Sequence, residues 1–206
     1  MILRFKNIIC KKRTYHKNKV NVKVIVGLGN PGEQHRRNRH NIGFIICEEI
    51  LKKLGNPKIK LKFNGEISKT NYKNKEILIV KPLTYMNESG KCIKEIVSNH
   101  SVSLDNLLVI HDDLDLGFIR IKFKRGGGSA GHKGVAAIIE KLKDDNFCRL
   151  RFGIGRPPEG IDPVEYVLED FTEKEFKLIK ENKENIVKAI LDYMEFDIKY
   201  VMSKYN

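Results

Sequence analysis

The sequence predicts an α/β fold: a three-layer α/β/α sandwich around a mixed, mostly parallel central sheet, built as a single domain. Three observations predict it. Short β-branched runs alternate along the chain with segments of helical periodicity, as in sheets crossed by helices. Polar and glycine-rich stretches follow the apolar runs, where open α/β sheets place their loops and sites. No repeat period divides the 206 residues, and that length suits one domain with a sizeable core.

The first strand is Val22–Val26, a buried β-branched run. In "NIGFIICEEILKKLG" the apolar residues Ile42, Ile45, Ile46, Ile50 and Leu54 recur at helical spacing, and Gly55-Asn56-Pro57 ends that helix. Segments 58–63, 66–73 and 76–81 read as strands. "NESGKCIKEIVSNH" is a helix with its cap expected near Asn87. Leu107–Ile110 is a buried strand running into an acidic turn, and Phe118–Lys124 alternates like another strand. "RGGGSAGHKG" is a glycine loop feeding a helix over 133–143, "RLRFGIG" is a further strand, and the last 30 or so residues form a charged amphipathic helical region.

The formal net charge is +13, and eight Lys or Arg fall in residues 1–23, which hold no acid; the first acidic residue is Glu33. Residues 1–21 are therefore set apart as a basic extension. Two readings stay open for it, an organelle transit segment or a disordered tail of a Lys- and Asn-rich proteome. Residues 22–206 are the expected catalytic domain, whose modest positive charge suits a polyanionic partner. No run approaches the roughly 20 apolar residues of a membrane span, so no membrane partner is expected. Cys10, Cys47, Cys92 and Cys148 lack CxxC spacing, which fits a reducing compartment and gives no zinc pattern.

Several familiar motifs fail on inspection. Gly27-x-Gly29-x-x-Gly32 spells a dinucleotide fingerprint, yet Pro31 interrupts it and the helix starts only around Asn41, far from any pyrophosphate held there. No acid stands at the end of the next strand to hold a ribose. Gly127-x-Ser129-x-Gly131 spells a nucleophile elbow, but that chemistry needs a later acid and histidine, and the last histidine is His132. Gly126 and Gly131 begin like a P-loop, with His132 where Lys is required. "HDDLD", from His111 to Asp115, has carboxylates suited to a hard cation, but no second histidine or acid cluster completes a plausible ligand set, and turns at strand ends are commonly Asp-rich. No metal and no cofactor are expected.

What remains is the ordered set "GLGNPG", "RNRHNIGF", "KPLTYMNESG", "IHDDLDL", "GGGSAGHKG" and "RLRFGIGRP", each at a strand end or in the loop that follows. This set resembles the bacterial-type peptidyl-tRNA hydrolase family over essentially the whole chain beyond the extension. The resemblance implies cleavage of the ester joining a peptide to the 3′-terminal ribose of tRNA. It implies that His40 is the catalytic base, a role suited to a group that titrates near neutrality, and that Asp112 fixes its tautomer. Asn30 and Asn87 match the site asparagines, whose amides can hold a peptide backbone, a water or an oxyanion. Tyr85 and Met86 match walls of the peptide groove, and His132 matches the glycine-loop histidine at a helix N-terminus. Lys124 and Arg151 match basic positions that clamp a tRNA phosphate.

Two positions depart from the family pattern. Lys133 stands where asparagine is usual, and His35 stands where a tyrosine is common. Both are expected to alter substrate contacts while leaving His40 and Asp112 untouched. The resemblance also implies a monomer acting in the cytoplasm, or in an organelle should residues 1–21 be a transit segment. The rival is a catalytically retired RNA-binding relative, against which the retention of His40, Asp112, Asn30 and Asn87 speaks.

Overall fold

The computed structural model describes residues 22–206; the basic extension 1–21 lies outside the described residues. Seven strands form one sheet: β1 (Lys23–Gly27), β2 (Ile59–Lys62), β3 (Gly65–Tyr72), β4 (Lys75–Pro82), β5 (Leu107–Asp113), β6 (Ile121–Arg125) and β7 (Cys148–Gly153). Their spatial order is β2-β3-β4-β1-β5-β7-β6. The central strands β4, β1, β5 and β7 run parallel, while β2, β3 and β6 lie antiparallel to their neighbours.

Side-chain alternation in the strands builds the three layers. Ile25, Ile77, Ile79, Leu108 and Ile110 face one core with α1 (Ile42–Lys53), α4 (Pro163–Leu168), α5 (Glu173–Glu195) and α6 (Ile198–Tyr205). Val24, Val26, Leu78, Val80, Leu107 and Val109 face the other, with α2 (Ser89–His100) and α3 (Lys133–Leu142). The sheet meets α1 closely. A Cβ placed on Gly27 would lie 2.2 Å from the Gly43 carbonyl oxygen, so the first fingerprint glycine lets helix and strand touch backbone to backbone.

Several elements differ from expectation. The acidic "turn" after Ile110 is strand: β5 continues to Asp113 because β7 pairs with it as far as Asp113↔Gly153. Conversely, β6 begins only at Ile121. Ile119 adopts φ 71°, and the Ile119 N–H donates to the Gly153 carbonyl in a turn rather than a ladder. Asn87 caps nothing; it sits in a short 3₁₀ turn, Met86–Glu88, before α2. The helical C-terminal region starts earlier, at Pro163, with Asp162 capping the Val164 N–H and proline in the first turn. At the edge, the Asn206 side chain pairs with β6, its Oδ1 accepting the Phe123 N–H at 2.7 Å and its Nδ2 donating to the Phe123 carbonyl at 2.9 Å.

Candidate active site

The carboxyl ends of β1, β4 and β5 converge on a cleft of about 600 Å³. Asn30 arrives on the loop after β1, Tyr85, Met86 and Asn87 on the turn after β4, and Asp112 on β5 itself. His40 comes from the turn before α1, and His132 and Lys133 from the start of α3. All eight line the cleft. His35, Lys124 and Arg151 do not. His35 Nδ1 is bonded to the Asn38 Oδ1 at 2.8 Å on the outer side of the His40 loop. Lys124 and Arg151 share the face of β6 and β7 opposite Phe123 and Leu150. There Arg151 donates to Asp113 at 2.6 Å, and Lys124 is exposed beside the glycine loop.

Asp112 organises the chemistry. Its Oδ1 accepts from His40 Nδ1 at 2.9 Å and from His132 Nε2 at 2.9 Å, with both rings and the carboxylate largely buried. Burial alone would push this carboxyl up. The charges and hydrogen bonds of His132 and His40 outweigh it and hold Asp112 well below the usual carboxylate range. An ionised carboxylate only accepts, so each facing ring nitrogen carries the hydrogen. His40 is thereby fixed as the Nδ1–H tautomer, leaving Nε2 with its lone pair.

His132 is locked differently. Its Nδ1 accepts the backbone N–H groups of Gly134 and Val135 at 3.2 and 3.3 Å, so the ring is the N-cap of α3. The Gly134 and Val135 N–H groups at this helix start are thereby engaged by the cap. His132 therefore supports Asp112 and α3 and offers no free lone pair. His40, Asp112 and His132 bring ligand atoms within 4.8 Å of one another, a cluster that residues 40, 112 and 132 do not disclose by spacing. Because both nitrogens facing Asp112 bear hydrogens, the carboxylate works here as an acceptor between two donors.

A third imidazole stacks behind. The His111 ring meets His132 edge-on at 4.8 Å, its Nδ1–H donates to the Asp112 carbonyl at 2.7 Å, and its buried Nε2 has no partner among the described residues. Burial, reinforced by the neighbouring His132, pushes His111 down to about 3 from its ordinary 6.5. The unfolded chain thus takes up a proton near pH 6.5 that the folded chain refuses until about pH 3. Stability is full above that window and falls as pH drops through it. Asp112 adds loss of the same sign below its ordinary 3.8. His111→Phe is expected to flatten the dependence of melting temperature on pH between 6.5 and 4; slopes equal to wild type would contradict this.

The amides are placed by one another. Asn30 Oδ1 accepts the Met86 N–H at 2.8 Å, which leaves the Nδ2 as the donor this side chain has for the cleft. Asn41, next to His40, holds the Asn30 backbone with both halves of its amide, at 2.9 Å each. Asn87 and Tyr85 are exposed at the mouth, and Met86 is buried in the wall. Sequence reasoning missed His111, Arg156 and the opposite wall of Pro163, Val164, Val167 and Leu168 on α4. The Asp162-Pro163 pair, a cap followed by a first-turn proline, was the available signal for that helix.

A family model described as peptidyl-tRNA hydrolase matches residues 24–206. A peptidyl-tRNA hydrolase from Mycoplasma mycoides is 40% identical over 186 residues, covering 90% of this chain and 100% of the relative. One from Thermoanaerobacter is 42% identical over 183 residues, covering 89% and 98%. A crystal structure of peptidyl-tRNA hydrolase from Acinetobacter baumannii superposes with a TM-score of 0.75 at 31% identity, covering 90% of each chain. The chain belongs to the peptidyl-tRNA hydrolase family.

Proposed function

We propose that this protein hydrolyses the ester between a peptide and the 3′-terminal ribose of tRNA, without a cofactor. The observation that carries the reading is one imidazole with a free Nε2 in the cleft, its other nitrogen fixed on a buried, ionised carboxylate. His40 Nε2 takes a proton from water as the water oxygen attacks the ester carbonyl carbon. The tetrahedral intermediate collapses, and the departing ribose oxygen recovers that proton from His40. Asp112 stabilises the imidazolium between the two steps.

Asn30 and Asn87 supply amide donors for the peptide carbonyl or the developing oxyanion. Tyr85, Met86 and the α4 wall face the peptide, and Lys133 brings positive charge to the cleft where the family usually has an amide. Lys124 and Arg151 meet tRNA phosphate on the outer face of β6 and β7, and His35 contributes to the rim outside the cleft. Among the described residues no helix is long and apolar enough to cross a membrane. The protein is proposed to act as a monomer, in the cytoplasm or in an organelle according to the role of residues 1–21. A retired RNA-binding relative would have no use for the tautomer lock on His40.

The test is release of N-acetyl amino acid from N-acetyl-aminoacyl-tRNA in the presence of a chelator. Release at an undiminished rate is expected. No release, with or without the chelator, would overturn the assignment; release abolished by the chelator would show a metal requirement instead.

A further inference from the structure

The segment that carries His40 is zipped to the segment that joins α4 to α5. The Phe171 N–H donates to the Arg37 carbonyl at 2.9 Å, the Arg39 N–H donates to the Glu169 carbonyl at 2.9 Å, and Asn38 Nδ2 donates to Asp170 at 2.9 Å. Arg39, one residue before the base, anchors this zipper, and its side chain is only 6% exposed. The guanidinium pairs with Glu169 on one side at 3.4 Å and Glu175 on the other at 3.1 Å. It lies 4.2 Å from the centre of the Tyr166 ring and 5.7 Å from that of Phe171.

These partners belong to different elements. Tyr166 lies on α4, whose next residues Val167 and Leu168 line the cleft, while Glu175 closes the capping box that starts α5 by accepting the Thr172 N–H at 2.7 Å. A displacement of α4 or of the start of α5 therefore pulls on Arg39 and, through one peptide bond, on His40. Among the described residues the His40 ring has a single hydrogen-bonded anchor, Asp112. A small shift in its backbone changes that contact directly, and misplacement of a reacting group by about 1 Å can cost on the order of 10²-fold in rate. A buried guanidinium is costly unless fully paired, so Arg39 has little reason to sit here for stability alone.

We infer that Arg39 is a positioning residue for the base: by joining α4 and α5 to the 37–41 segment it keeps His40 Nδ1 on Asp112. The inference rests on the proposed hydrolysis, and the experiment separates the two. Turnover of N-acetyl-aminoacyl-tRNA is measured for wild type, Arg39→Lys, Arg39→Met and Glu169→Gln, and the downfield Nδ1–H proton resonance of His40 is followed by NMR, assigned by its absence in a His40→Ala control. In Arg39→Met, kcat is expected to fall about tenfold or more with KM within about twofold, and the resonance to broaden or shift. Arg39→Lys restores part of kcat, because the charge remains while the planar stack and fork are lost.

Should Arg39→Met fail to fold, Glu169→Gln removes a half-exposed partner without burying an unpaired charge. It is expected to lower kcat by about twofold to threefold, again without raising KM. Unchanged kcat in the folded variants, a loss confined to KM, or an unmoved His40 resonance overturns the inference. A wild type that hydrolyses nothing overturns the proposed function, and this inference with it.

Discussion

Replacing His40 with alanine is expected to slow ester cleavage by about 10²- to 10⁴-fold, the range lost with a general base, while the protein stays folded. Among the described residues no other imidazole is free to substitute in the cleft. His132 spends its Nδ1 on the α3 N-terminus and its Nε2–H on Asp112, and His111 has its free nitrogen buried behind them. The two asparagines are donors and acceptors without basicity near neutrality. Removing the His40 ring also leaves Asp112 with His132 as a partner, so no carboxylate is stranded and the melting temperature should move little. Initial rates on N-acetyl-aminoacyl-tRNA alongside a thermal melt check both halves. A rate within a few-fold of wild type would remove His40 from the mechanism.

A large loss of stability is expected from Gly27→Ala. The added methyl would fall 2.2 Å from the Gly43 oxygen, 2.6 Å from the Gly43 carbonyl carbon and 2.7 Å from the Cys47 sulfur, all of them on α1. Two of these are backbone atoms in the first turn of a helix packed on the sheet, so relief requires α1 to move as a unit. Overpacking of a core commonly costs about 1–3 kcal/mol, and a contact that backbone must absorb belongs at or beyond the upper end. For a chain of this size that corresponds to a melting temperature lower by about 6 °C or more. Because α1 begins where the His40 turn ends, turnover should drop as well. A melt within about 1 °C of wild type would contradict the packing argument.

These two residues mark what was legible in the sequence. The layer order and the strand-and-helix alternation were readable because hydrophobic periodicity is a local signal. The His40–Asp112 pairing was reached only through resemblance, since 72 positions separate the two and nothing local to either discloses the other. His132 was legible as a residue at a helix start, but sequence does not show that its own ring caps the N–H groups there. His111 escaped because in "HDD" the eye goes to the acids, while strand pairing through Asp113 turns all three side chains into buried groups. The α4 wall escaped because six residues are too few to show helical period.

The two margins of the sheet carry a consequence of their own. A strand at a sheet margin leaves a row of unpaired backbone groups that another chain can adopt. At β6 that row is interrupted by the Asn206 amide, which takes both the N–H and the carbonyl of Phe123 as a neighbouring strand residue would. At β2, the opposite margin, Lys60 and Lys62 alternate with exposed Ile59 and Leu61 in a four-residue strand too short and too charged to recruit a partner readily. One margin is plugged and the other carries alternating lysines, and both features disfavour sheet extension even with two apolar side chains in open water.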